Sequence, residues 1–180
     1  MKRYLTSLRH LATLSLFVLL ASCSVYVDPS ASATVSVRGS YRIALGNVVE
    51  IFEPTKGRGA SYALGEEIAF RILTAQSGYV TLTAIDPDGF VYVLGPRNVP
   101  VDAGVLTILP RARRNIRFVA APPSGFHRVR ASFTPRPTDT TFIVYEGRRG
   151  GENWTETIVT ELEPYPQSSR DIVETNLFIR

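Results

Sequence analysis

The chain has 180 residues, 44% of them hydrophobic and 20% charged, with 13 Gly and 12 Pro; that is enough for one domain with a buried core and short for two. Its single cysteine, Cys23, excludes an intramolecular disulfide framework and a multi-cysteine zinc or iron–sulfur site. Of 20 basic and 16 acidic residues, three basic and no acidic ones fall in residues 1–22, leaving 17 against 16, a balance that argues against nucleic-acid binding and polybasic membrane association.

Lys2, Arg3 and Arg9 precede an apolar run from Leu11 to Ala21, broken only by Thr13 and Ser15. A basic stretch followed by an apolar run too short to span a bilayer reads as a signal peptide. The run ends in Leu20-Ala21-Ser22-Cys23, which resembles the bacterial lipoprotein signal, or lipobox. The resemblance implies removal of residues 1–22, a diacylglycerol on the Cys23 thiol and a third acyl chain on its new amino group. Two or more chains anchor stably where one does not. Ala31-Ser32-Ala33 also fits a small-x-small cleavage pattern, but lies about twelve residues beyond the apolar run, too far for usual processing. Ser24 in place of Asp implies, by the same resemblance, the outer membrane, facing the periplasm or the cell surface.

Residues 23–33 are small and polar and include Pro29, as suits a lipidated N-terminus and tether. Residues 34–180 read as one domain. Runs rich in Val, Ile, Thr, Tyr and Phe recur about every ten residues between Gly, Pro, Asn and Asp, the punctuation of sandwiches and barrels. Strands are expected at 35–45, 48–52, 66–74, 79–86, 90–94, 105–109, 115–120, 127–133, 140–145, 154–159 and 173–179. Alternation places Ile68, Phe70 and Ile72 on one buried face, Ile116, Phe118 and Ala120 on another, and Val129, Ala131 and Phe133 on a third. Pro87-Asp88-Gly89 predicts a tight hairpin between 79–86 and 90–94. The segment Thr155–Leu162 fits a short helix as well as a strand, and no amphipathic helix longer than two turns is expected. The fold class is all-β: an antiparallel two-layer β-sandwich, immunoglobulin-like in style.

Tyr62-Ala-Leu-Gly65-Glu66-Glu67-Ile68-Ala-Phe70, Gly78-Tyr79-Val80, Ile85-Asp86-Pro87-Asp88-Gly89, Leu94-Gly-Pro96-Arg-Asn98, Ala103-Gly104, Pro110 and Pro123-Ser-Gly125 occur in that order. Over about residues 58–135 this resembles the bacterial family called domain of unknown function 4384. Gly95 stands where that family carries a bulky residue. The resemblance implies a β-rich module of envelope lipoproteins, or one joined to peptidase or kinase domains that carry the chemistry, with no accepted catalytic residues of its own.

Nucleophilic catalysis lacks parts. His127 is the only histidine beyond the signal, there is no Gly-x-Ser-x-Gly turn, and a lipidated Cys23 is blocked. His127, in phase with Val129 and Ala131, reads as a strand-end residue. Glu66 and Glu67 are adjacent and point to opposite faces, so they cannot form a glycosidase pair together. Asp86 and Asp88 belong to the hairpin, with too few oxygens nearby for calcium. No cofactor or metal is expected.

The basic cluster is more suggestive. Arg111, Arg113, Arg114 and Arg117 precede the turn Pro122–Gly125 and Arg128 and Arg130 follow it, so a hairpin there would gather Arg117, Arg128 and Arg130 on the face opposite the core. Such arginines suit an anionic envelope polymer, or glutamates of a neighbouring strand. The expectation is a lipid-anchored, non-catalytic cell-envelope module that binds a protein or a wall or surface polymer in envelope assembly or integrity. The alternatives are an envelope hydrolase with carboxylates from distant strands, or a regulatory module for a separately encoded enzyme.

Overall fold

The computed structural model describes residues 43–111, 115–138 and 148–180. The expected strands at 48–52, 66–74, 79–86, 90–94, 105–109, 127–133 and 173–179 are there, with shifted ends: β1 (Val49–Pro54), β3 (Glu67–Ile68) and β4 (Phe70–Thr74), β5 (Gly78–Ile85), β6 (Phe90–Val93), β8 (Thr107–Leu109), β10 (Gly125–Thr134) and β12 (Asp171–Ile179). Short strands β2 (Ser61–Tyr62), β7 (Val99–Val101) and β11 (Arg148–Arg149) were not anticipated, and β9 is confined to Phe118–Val119. Ile43–Leu45, the described part of the expected strand 35–45, is not in a strand, and the strand expected at 140–145 lies outside the described residues.

The fold is an all-β sandwich with one helix laid on its outside. A small antiparallel sheet runs β1-β4-β8, and the large sheet runs β11-β6-β5-β10-β12-β2, with β7 beside β6 on the edge of β5. The hairpin at Asp88-Gly89 forms as expected: the Phe90 N–H donates to Asp86 Oδ1 at 2.9 Å and the Gly89 N–H to the Asp86 carbonyl at 3.0 Å. Between the two sheets lies the main core, with Phe52, Phe70 and Ile72 from the small sheet facing Val80, Leu82, Val129, Ala131, Phe133 and Val173 of the large one. Phe52 and Phe70 stack at 5.5 Å, and Phe118 tilts against Phe70 at 6.2 Å. The faces predicted by alternation at Ile68–Ile72 and Val129–Phe133 are the buried ones. Gly78 is required by close approach, because a Cβ there would stand 2.5 Å from both the Phe133 ring and the Thr134 carbonyl.

Two expectations are corrected. Residues 154–159 are not a strand but part of α1 (Gly151–Leu162), a three-turn helix longer than anticipated. Trp154, Ile158 and Leu162 recur every four residues and pack on Ile85, Val91 and Ile172 in a second core, on the opposite face of the large sheet. The threonines that made the segment look extended return their hydroxyls to the carbonyls four residues earlier: Thr155 to Gly151, Thr157 to Asn153 and Thr160 to Glu156. The second correction is the pairing of 115–120. Phe118–Val119 pairs with β3, not with β10, whose partners are β5 and β12.

The two sheets are tied where β1 and β12 begin. Asp171 is fully buried; its Oδ2 accepts from the N–H groups of Val48 and Val49 and its Oδ1 from Ile172, all at 2.9 Å. One carboxylate thus satisfies three buried donors on two layers, a charge-assisted arrangement stronger than neutral bonds. Asp171→Ala leaves those donors without their acceptor, at a cost of about 3 kcal/mol or more. Urea denaturation should show the midpoint falling accordingly with its slope unchanged; a loss below about 1 kcal/mol would contradict this assignment.

Candidate functional site

The candidate arginines do not form one surface. Arg113 and Arg114 lie outside the described residues. Arg111 donates to the Pro100 carbonyl. Arg117, on the separate β3–β9 pair, has its side chain 75% exposed and meets Glu67 at 3.1 Å. Arg128 and Arg130 do share a face, but it is the face that α1 covers.

Register explains their arrangement. Thr83 of β5, Arg130 of β10 and Glu174 of β12 are direct cross-strand partners in one row across the large sheet. Arg130 is only 3% exposed; its Nε donates to Glu174 Oε2 at 2.7 Å and its Nη1 to Thr155 Oγ1 at 3.0 Å. Arg128 grips the same carboxylate with two bonds, Nε to Oε1 at 3.0 Å and Nη2 to Oε2 at 3.1 Å. The Trp154 ring lies over the Arg130 guanidinium at 3.8 Å, and its Nε1–H donates to Thr83 Oγ1 at 2.8 Å. The negative answer to this like-charge pair is therefore Glu174, within the chain, and the layer fastens α1 to the sheet.

The remaining polar candidates are arranged otherwise. Glu66 takes Lys56 and the Ala63 N–H, and that order of causes, cation first, holds its carboxyl below the ordinary range. Glu67, its neighbour, turns instead to Arg117. Asp86 serves the hairpin. Among the described residues no three His, Cys, Asp or Glu side chains are grouped to hold a metal ion, and no helix is long and apolar enough to cross a membrane.

What alternation could not reveal is a cleft of about 440 Å³ at one end of the sandwich. The β3–β9 pair leans away from the large sheet there, so Arg117, Phe118 and Val119 form one lip and Tyr92 to Gly95 with Pro122 and Pro123 the other. Phe70, Val129, Leu177 and Ile179 make an apolar floor, and Asp86, Tyr92 and His127 bring polar atoms to the wall. His127 is buried. Its Nε2 is 2.9 Å from the Pro123 carbonyl, which can only accept, so Nε2 carries the proton. In the neutral ring Nδ1 then accepts, and the Tyr92 hydroxyl 3.4 Å away donates to it. The strand-end position expected for His127 is correct, but the side chain lines a cavity, a fact that depends on Tyr92 and Pro123 from elsewhere in the chain.

Residues 61–137 match the family model described as Domain of unknown function (DUF4384). The match runs from β2 through β10, and so includes both lips of the cleft and all of its floor except the part supplied by β12. No curated protein and no solved structure matches the chain.

Two outcomes follow from these environments. Arg130→Ala removes one member of a buried charge layer and should cost about 3–5 kcal/mol in denaturant unfolding, whereas Arg117→Ala should stay within about 0.5 kcal/mol of the parent. Equal effects would show that the two arginines are not so differently placed. Burial, with the Asp86 charge second, pushes the Tyr92 phenol from its ordinary 10.0 up to about 12. Its folded-state value is the higher one, so its contribution is complete below about pH 10 and disappears as pH rises toward 12. Urea titrations across that window should show a smaller loss of stability for Tyr92→Phe than for the parent; parallel losses would contradict it.

Proposed function

We propose that this protein is a lipid-anchored, non-catalytic module of the cell envelope, tethered through Cys23, which binds a partner protein or a wall or surface polymer in envelope assembly or integrity. The observation that carries the binding half of this reading is the inter-sheet cleft: a concave space of about 440 Å³ in which apolar side chains and convergent polar groups share the lining, a form that suits a recognition site. The Tyr92 hydroxyl and the His127 ring are engaged with each other and with the Pro123 carbonyl, an arrangement that orients a ligand rather than drawing a proton from one. The anchoring half rests on Leu20-Ala21-Ser22-Cys23.

In this reading the arginines hold the fold and the cleft meets the partner. Glu174 and Trp154 already occupy Arg128 and Arg130, so a polymer would have to compete with a buried ion layer to reach them.

The anchor is tested by detergent-phase partitioning and by intact mass. The parent should enter the detergent phase and begin at an acylated Cys23; Cys23→Ala should lose the acyl mass and the partner captured by in-cell crosslinking. A parent chain that begins elsewhere, or that carries no acyl mass, would overturn the lipoprotein reading.

A further inference from the structure

The chemistry of the cleft wall is one-sided. With the His127 ring neutral, the Tyr92 hydroxyl donates to His127 Nδ1 and the Nε2–H of His127 donates to the Pro123 carbonyl. Both donors are thus spent on neighbours, which leaves the wall with acceptors: the lone pairs of Tyr92 Oη and the carboxylate of Asp86, of which Oδ1 takes one N–H from Phe90. No described basic side chain forms an ion pair with Asp86. Among the described residues the guanidinium at the cleft is that of Arg117, which sits on the opposite lip, largely in solvent and matched by Glu67. His127, the remaining titratable group on the cleft, faces its two hydrogen-bond partners.

We infer that the cleft receives a ligand with an apolar body ending in a protonated amine, its ammonium directed at Asp86 and Tyr92 Oη and its body laid between Phe118 and Leu177. Three features favour that class. An ammonium supplies donors where the wall supplies acceptors. Aromatic faces at Tyr92 and Phe118 attract a cation as well as pack an apolar chain. The field of Asp86 reaches the interior of the cleft, since it adds to burial in keeping the neighbouring phenol protonated. A carboxylate ligand would meet Asp86 and the Tyr92 oxygen unanswered, a costly pairing in a partly desolvated site. The inference rests on the cleft being the recognition site, and it narrows the partner to one that presents this group: a free amine, or the lysine side chain of a protein.

The test uses the full chain in lipid nanodiscs, with the Tyr92 ring resonance as reporter, assigned through Tyr92→Phe. The probes are phenethylamine, its neutral counterpart 2-phenylethanol, its anionic counterpart phenylacetate, and N-acetyl-Phe-Lys-amide. Phenethylamine or the lysyl peptide should bind at least tenfold more tightly than the neutral and anionic probes, and whichever of the two is tighter identifies the source of the amine. Asp86→Asn, which keeps the acceptor for the Phe90 N–H, should abolish most of that preference without changing the melting temperature. If phenylacetate binds best and depends on Arg117, the amine class is wrong while the cleft remains a binding site. If no probe moves the Tyr92 resonance, the cleft reading falls with it.

Discussion

The burial of Arg130 is the constraint on which the architecture of this domain turns. A guanidinium cannot lose its protons, so covering it requires acceptors and a polarisable surface in place of water. The large sheet supplies Glu174 on one side in register, the helix supplies Thr155 and the face of Trp154, and Thr83 on the other side takes the indole N–H. The direct partners come from β12 and α1, and β5 holds the indole in place, so β5, β10, β12 and α1 all contribute to the layer. An apolar layer could hold a helix on a sheet in many orientations. This one fixes which residue of α1 stands over which row of the sheet.

That layer makes the central strands unlike those of a sandwich with one wet side. β10 carries Val129, Ala131 and Phe133 toward the small sheet and Arg130, Ser132 and Thr134 toward the other face, and all six are buried. Asp171 ties β12 to β1 on the core side at the point where Ile172, next in sequence, enters the core beneath the helix. The large sheet is thereby clamped from both faces at one end, while at the other the short β3–β9 pair joins neither sheet, packs through Phe118 on Phe70 and lines the cleft opposite Tyr92.

How much of this was legible in the sequence depends on range. Local patterns gave the strands around Phe70 and Ala131, and Asp88-Gly89 gave the hairpin, because alternation and turn chemistry are properties of a few consecutive residues. The helix was legible only as an alternative to a strand at Thr155–Leu162, because Thr155, Thr157 and Thr160 are β-branched residues whose hydroxyls found helical acceptors. Arg128 and Arg130 alternate with apolar residues as solvent-facing side chains do, and only the register of β12, which brings Glu174 opposite Arg130, reveals that the charge is internal. The cleft was least legible of all. It gathers residues from six segments, and the proximity of Pro122 to Gly125 suggested a hairpin between β9 and β10 that would have closed the space now open between them.

The different fates of two acidic residues show what the fold does with charge. Glu174 and Asp86 both lie at the large sheet, and each has apolar neighbours that make an unanswered carboxylate costly. Glu174 sits in the interior of β12 beneath a helix, where its answer had to be built into the chain, and two arginines provide it. Asp86 sits just past the end of β5, among the residues that line a cavity; the hairpin uses only one of its oxygens, through the Phe90 N–H. A residue chosen by turn geometry thus has a second carboxylate oxygen that the Phe90 N–H does not use. The same sheet that consumes its interior charges in holding α1 exposes a turn carboxylate at its end, and the polarity of the cleft follows from that difference in position.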